Sequence, residues 1–475
     1  MLLGSIIGYL LITILIGYWA SRRVRTSDDY MLAGRSLPLL LSSSALFATW
    51  FGSETVFGAS AQFLDEGLYG VIEDPFGAAL CLVLFGLFFA RKLYSLNLLT
   101  LGDFFKVRFG GRTELVASLF LAPPYLGYIA AQLVAMGLIL NVVTGMVLWQ
   151  GIVVSALVVT VYTYIGGMWA ITITDFIQTI IIIGGLLVLA VVLSERAGGV
   201  QNVLSNVPRE DFRFFPAPTF RDIVTYVAAW SVLGLGSLPS QDVFQRSMSA
   251  GSAKIAVWAC YIGAALYLTI AMLPLFISLC TKYLYPEQLG GDLQLTLPSM
   301  VLAHTALPVQ ILFFGSLLSA IMSTTSSAIL APASIFSENL IRPLMKHRLS
   351  DSRLLIVTRL SVLLFSVCAT VMACLRSNIY QLVGESSILS LVSLFAPLTF
   401  GLYWKRSSAT GALLSMVFGM LMWIIFEVYE TGWPGMIPAT IVSITFMIVG
   451  SLLWPSKQPQ HDNHRTQPVE RGVPF

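Results

Sequence analysis

Charged side chains are scarce in this chain of 475 residues. Aspartate, glutamate, lysine and arginine make up 11% of it, where a soluble domain carries roughly 25%. That shortage excludes a large water-facing surface. With 56% hydrophobic residues and a mean hydropathy of +0.82, it points to an integral membrane protein with no room for a sizeable soluble domain. Cysteine is nearly absent too. Cys81, Cys260, Cys280, Cys368 and Cys374 lie in or at the ends of apolar runs, odd in number and without metal-binding spacing. They read as small apolar fillers rather than a disulfide framework or a zinc site. No Walker A motif, nucleophile elbow or HExxH helix occurs, and the longest polar stretches, near 195–221 and 455–475, are too short for a signalling or kinase domain. An enzyme is not expected. The net charge of +3 carries no nucleic-acid signal.

What fills the chain is apolar runs of about 20 residues, enough to span a bilayer. They fall near 2–20, 39–63, 70–92, 114–142, 148–166, 172–194, 222–240, 253–281, 306–336, 354–375, 378–403, 408–427 and 434–454. The expectation is an all-α integral membrane fold with about thirteen transmembrane helices. The first run has no basic segment before it and is followed by Ser21-Arg22-Arg23 instead of a cleavage site, so it reads as a retained helix. Residues 1–454 form one transmembrane domain, and 455–475 a polar tail of disorder-prone composition. If successive runs alternate across the bilayer, one side collects Arg22, Arg23, Arg25 and Arg35, then Arg91, Lys92, Lys106, Arg108 and Arg112, then Arg246 and Lys254, then Arg342, Lys346, Arg348 and Arg353. The other side holds few, such as Arg196, Arg209, Arg213 and Lys282. Positive charge stays inside. The N-terminus is therefore expected outside and the C-terminus in the cytoplasm, in a cell (plasma or inner) membrane.

Two runs are interrupted. The second carries Gly52, Ser53, Glu54 and Gly58 near its middle; the seventh carries Gly234, Gly236 and Pro239. The breaks lie five helices apart, and broken helices at matching positions of two inverted halves mark the site of a secondary transporter. Helices 2–6 and 7–11, about residues 39–403, would form a five-plus-five inverted-repeat core of LeuT-like type, with helices 1, 12 and 13 peripheral. A plain packing notch at each glycine pair is the alternative. A further polar feature lies at 319–327, where Ser319, Ser323, Thr324, Thr325, Ser326 and Ser327 interrupt an apolar helix. Ala320, Ser323, Thr324 and Ser327 share one helical face. Such a stripe suits a dehydrated hard cation, or it bonds back to the preceding turn and eases helix packing.

Several segments together resemble the sodium:solute symporter family. Asp29-Tyr30-Met-Leu-Ala-Gly-Arg35-Ser36-Leu is similar to the segment before its first core helix. Gly166-Gly167-Met-Trp-Ala-Ile-Thr-Ile-Thr174-Asp175-Phe-Ile-Gln178 is similar to its fifth-to-sixth-helix signature, Ser319-Ala320-Ile-Met-Ser323-Thr324 to its sodium-binding helix, and Gly401-Leu-Tyr-Trp404-Lys405-Arg406 with Thr410-Gly411-Ala412 to its late signature. The resemblance runs from about residue 5 to 425. Within the family the texture is closest to the high-affinity choline transporters, through Ala48-Thr49-Trp50 with Gly52 and Gly58, and through 238–246. Those carriers have a tryptophan where this chain has Ser240, and a quaternary ammonium wants an aromatic box, so choline itself is not carried over.

The resemblance implies sodium as the coupling ion and no organic cofactor. By position, the ion would lie among the carbonyls of Phe47, Trp50 and Ala320 and the hydroxyls of Ser323 and Thr324. Asp175 would be an exit waypoint or a second cation site, or only an acid capping the helix after Thr174. A substrate cavity would draw on Trp50, Ser53 and Glu54, on Glu73 and Asp74, on Tyr128 and Gln132, on Ser240 and Gln241, and on Glu385 and Ser386. Glu73 and Asp74 could instead sit at the outer interface, Glu385 could be a satisfied acid, and Trp50 plain core.

The leading expectation is sodium-coupled symport of a small polar or zwitterionic organic solute by alternating access. The alternative is a proton-coupled carrier of the same fold using Glu54, Asp175 or Glu385. A channel would need a continuous pore instead of inverted halves. The partners are a small-molecule substrate and the lipid bilayer, with no obligate protein partner evident.

Overall fold

The computed structural model describes residues 2–22, 24, 26–345, 350–429 and 432–455. Extended pairing among them is confined to one isolated bridge between Leu37 and Ala250; the rest of the regular structure is helix, which satisfies its backbone within the segment as hydrocarbon demands. Among the described residues nine helices are long and apolar enough to cross a membrane, and the bent pair Phe220–Gly236 and Gln241–Met248 makes a tenth. Helix occupies every expected run. The counts differ because Glu54–Ser95 and Leu148–Arg196 each take in more than one run, and because the helix over the first run, Leu2–Ser21, is not among the nine. A straight helix of 49 residues would measure roughly 70 Å, over twice the ~30 Å hydrocarbon core. Leu148–Arg196 turns back at Gly167, whose φ of 56° and ψ of −163° belong to a region essentially reserved for glycine.

Both expected breaks exist. Leu39–Trp50 stops, and helix resumes at Glu54–Gly58 and Ala59–Glu66. The Phe51 N–H still donates to Phe47 O, but the Gly52 N–H turns to Trp50 O at 2.9 Å. That turn takes the helical partner away from Ala48 O. The second broken helix bends by 47° between Phe220–Gly236 and Gln241–Met248. It runs eight residues past the expected end at 240. Those residues include Asp242, Gln245 and Arg246, all buried. Hydropathy marks them as loop, whereas here polar partners inside the protein allow them to be buried. Arg246, expected on the cytoplasmic surface, is wholly buried. The broken helices meet where Leu37 N–H donates to Ser249 O and Gly251 N–H to Leu37 O.

Leu307–Ile335 packs against Leu39–Trp50 and Leu148–Arg196 and is buried continuously from Ser316 to Ile335. Ala409–Val428 and Met436–Leu453 pair with each other at the edge, mostly facing outward. Cys81, Cys260 and Cys280 are buried fillers, but Cys368 and Cys374 are exposed on Asp351–Leu375. The expected tail lies outside the described residues from 456 onward.

Gly167 offers a direct check of this packing. A Cβ there would fall 2.4 Å from the Tyr30 ring, while a Cβ at Gly184 on the same helix meets nothing within 4 Å. Gly167→Ala should lower the yield and thermal midpoint of purified protein sharply, since the backbone conformation alone costs about 1–3 kcal/mol. Gly184→Ala should leave both unchanged. Equal behaviour of the two variants would refute the turn.

Candidate functional site

The break at 51–53 determines what surrounds it. Ala48 O, left without its helical partner, accepts a hydrogen bond from the Thr324 hydroxyl at 2.9 Å. The same hydroxyl lies 3.5 Å from Phe51 O and 3.1 Å from Ala320 O. Three backbone carbonyls therefore converge on one side-chain oxygen at the depth of the break. The first-helix carbonyls at this point belong to Ala48 and Phe51, one residue on from the expected Phe47 and Trp50. Phe47 O is held by the Phe51 N–H. Trp50 O accepts from the Gly52 N–H and from the Thr55 hydroxyl. The Ser323 hydroxyl donates to Asp175 Oδ1. Gly52 is required here, because a Cβ would lie 2.7 Å from Gln132 Oε1, 3.0 Å from Glu54 Oε2 and 3.1 Å from Thr324 Oγ1. The other hydroxyls of the stripe serve packing: Thr325, Ser319, Ser326 and Ser327 each bond to a carbonyl of their own helix.

Asp175 caps nothing. It sits within Leu148–Arg196, fully buried, and its Oδ2 lies 2.9 Å from Arg246 Nη2, equally buried. Thr174 meanwhile bonds back to its own helix and meets the Tyr162 hydroxyl. The Arg246 guanidinium is the positive charge beside Asp175. Arg246 was legible only as a basic residue in a polar stretch; nothing in its own neighbourhood announced a partner 71 positions away.

A narrow cavity opens beside the two breaks, lined by Trp50, Tyr125, Tyr128, Ser237, Ser240, Asp242 and Ser386, among others. Trp50, Tyr128, Ser240 and Ser386 are expected cavity residues; Tyr125 and Asp242 are additions. Tyr125 and Asp242 are joined at 2.7 Å by a hydrogen bond from the phenol, and Asp242 also suits the first turn of Gln241–Met248. Trp50 Nε1 is buried without a protein partner among the described residues. Three expected residues lie elsewhere. Gln241 turns away and accepts from Leu101 N–H at 2.7 Å. Glu385 makes a two-pronged, half-exposed pair with Arg376 at 2.6 and 2.7 Å, the satisfied acid of the two readings. Glu73 abuts Gly384 rather than the cavity.

Ser53, Glu54, Gln132 and Asp74 lie behind the cavity wall, all buried. Gln132 Oε1 accepts the Ser53 N–H at 2.9 Å, and its Nε2 donates to Glu54 Oε2 at 2.6 Å. Tyr128 Oη lies 2.7 Å from Thr49 O and 3.0 Å from Glu54 Oε1. Asp74 is not at an outer interface: its Oδ1 lies 2.5 Å from the Tyr267 hydroxyl.

Paired broken helices, carbonyls and hydroxyls converging at the first break and an adjoining half-polar cavity define a secondary transporter of the inverted-repeat class. The comparisons agree. The family model described as the sodium:solute symporter family matches residues 30–419, and the chain belongs to that family. It is 28% identical over 445 residues to the human high affinity choline transporter 1, covering 89% of this chain and 76% of that one. It is 27% identical over 479 residues to the osmoregulated proline transporter OpuE of Bacillus subtilis, covering 96% and 95%. A solved structure of a Na+-coupled sialic acid symporter, 20% identical, superposes with a TM-score of 0.86 over 96% of this chain and 98% of that one. Mhp1, a nucleobase-cation-symport-1 family transporter, follows at 0.55 over 90% and 95%. The chain is thus a multi-pass membrane transporter rather than an enzyme, and sodium is the ion its family couples to organic solutes.

The buried pair makes a testable demand. Removing one partner of such a pair costs about 3–5 kcal/mol, because the other is left charged and unpaired. Arg246→Leu should therefore lower the thermal midpoint strongly, and Asp175→Asn combined with it should restore most of the loss. A double variant no more stable than the single one would show that the two residues are not coupled.

Proposed function

We propose that the chain takes up a small ammonium-bearing solute, zwitterionic or cationic, together with sodium by alternating access. It would do so in a cell membrane with its N-terminus outside and its C-terminus in the cytoplasm. The observation that carries the reading is the convergence of Ala48 O, Phe51 O and Ala320 O on Thr324 Oγ1. Sodium prefers such hard oxygen donors. With Ser323 Oγ next along the stripe, these groups would replace the ion's water. A site built from neutral oxygens binds weakly enough to let its ion go, and the gradient supplies the drive, about 2.3 kcal/mol per charge per 100 mV.

The cavity supports the solute class. Its walls are the rings of Trp50, Tyr125 and Tyr128, its carboxylate is Asp242, and its lining contains no lysine, arginine or histidine. Aromatic faces and a carboxylate favour a positive nitrogen. Choline and proline, which relatives are named for transporting, both carry one. Ser240 in place of an aromatic wall leaves room and hydrogen-bonding capacity for a more polar solute than choline. Loading the ion at the break and the solute beside it would bias the same two broken helices, which is how one gradient moves the other.

Two measurements on purified protein test this. Sodium should raise the thermal midpoint, and Ser323→Ala or Thr324→Ala should weaken the apparent sodium affinity by about tenfold or more, equivalent to ~1.4 kcal/mol. Thr325→Ala should behave as wild type. Identical sodium responses in all four proteins would sink the site. In a solute screen with sodium present, amino acids and quaternary amines should stabilise the protein by mass action, and sugars and simple carboxylates should not. The reverse pattern would overturn the solute class.

A further inference from the structure

Glu54 and Asp74 stand out among the acids near the site because no basic side chain faces them among the described residues. Asp175 faces Arg246, half-exposed Glu385 faces Arg376, and Asp242 lies in the first turn of Gln241–Met248 and accepts from Tyr125. Glu54 and Asp74 are each 1% exposed, and their hydrogen-bond partners are neutral.

Counting protons along the two networks is informative. Tyr128 has one hydroxyl proton and two neighbours, Thr49 O at 2.7 Å and Glu54 Oε1 at 3.0 Å. A backbone carbonyl cannot donate. If Tyr128 donates to Thr49 O, the second contact is filled only when Glu54 Oε1 carries a proton. Glu54 Oε2 is the accepting oxygen, since Gln132 must offer Nε2 to it while Oε1 takes the Ser53 N–H. The second chain runs Trp50 O, Thr55 Oγ1, Tyr267 Oη, Asp74 Oδ1, with separations of 3.1, 2.6 and 2.5 Å. Tyr267 Oη also lies 3.3 Å from Trp50 O. Thr55 and Tyr267 bring only two hydroxyl protons to these contacts. When Thr55 donates to Trp50 O and Tyr267 to Thr55, the Asp74 contact is therefore filled only if Asp74 Oδ1 carries a proton. Asp74 Oδ2 is buried with no partner among the described residues, a position in which an ionised oxygen would be costly.

We infer that Glu54 and Asp74 form a proton-binding pair that locks the break of the first broken helix to its surroundings. With both protons present, Thr49 and Ser53, on either side of the break, are tied to Pro124–Thr144, and Trp50 and Thr55 are tied to Ala253–Leu284 and to Asp74. Loss of the protons removes one hydrogen bond from each network and places two negative charges at the break. No base stands ready to answer them. The titratable side chains facing the pair are Tyr128 and Tyr267, with Tyr380 and Glu73 beside Asp74 and Asp242 across the cavity. The pair makes the chain responsive to protons whether or not sodium binds at Thr324, so the two readings fail separately.

The test uses the full-length protein in lipid. At neutral pH its infrared spectrum should contain absorption from protonated carboxyl groups that alkali removes, and Glu54→Gln and Asp74→Asn should each remove part of it. The thermal midpoint supplies a second readout. Acids that are protonated in the folded state but ionised in the unfolded chain add stability that is lost as pH rises through the folded-state pKa. Wild type should therefore lose stability from neutral to alkaline pH, and the double variant should lose roughly half as much or less. The same alkaline loss in both proteins overturns the proposal. So does a wild-type spectrum without protonated-carboxyl absorption at neutral pH, which decides the matter even if the variants do not fold.

Discussion

A helix that stops inside a membrane leaves carbonyls with no water to meet them, and the surroundings of residues 51–53 answer that demand. The Gly52 N–H turns inward to Trp50 O, Ala48 O is released, and the Thr324 hydroxyl reaches across from another helix to take it. Gln132 covers the Ser53 N–H. Thr55 and Tyr267 cover Trp50 O. Each partner comes from a different part of the chain, so the break binds Leu307–Ile335, Pro124–Thr144 and Ala253–Leu284 to one point. Gly52 makes this convergence possible, because any side chain would occupy the space where those groups meet.

Charge in the interior follows the same logic. Asp175 is affordable in an apolar run because Arg246 arrives from the second broken helix to meet it. That contact also joins the stretch after the Gly167 turn to the second break, while Ser323 links it to the hydroxyl stripe. One acid therefore connects the second broken helix to the stripe at 319–327, which Thr324 joins to the first. Glu54 and Asp74, without an arginine, sit beside the first break, and among the described residues their partners are hydroxyls and an amide.

Much of this was legible in the sequence, and the omissions have physical causes. Apolar runs gave the membrane class and the helices, since hydropathy reports what faces lipid. Glycines and Pro239 gave both breaks, since only a few residue types tolerate them. Motif position pointed to the carbonyls of Phe47 and Trp50, whereas those that reach Thr324 are of Ala48 and Phe51, because which carbonyl is freed depends on where the Gly52 N–H turns. Gln241 was expected in the cavity and Arg246 on the cytoplasmic side; each is drawn elsewhere by a partner far along the chain, Leu101 N–H and Asp175. Thr325 and Ser326 lie off the shared face of Ala320, Ser323 and Thr324, as helical periodicity requires, and each bonds to a carbonyl of its own helix.

The central claim is that the first break exists to hold sodium against Leu307–Ile335. A density map of the full-length protein in lipid, recorded in sodium and again in an organic cation too large for the site, tests it most directly. In sodium, an ion should appear among Ala48 O, Phe51 O, Ala320 O, Ser323 Oγ and Thr324 Oγ1, and the Thr324 hydroxyl should turn from Ala48 O toward it. Density for the ion at another place, or an unchanged Thr324–Ala48 contact in both maps, would contradict the account.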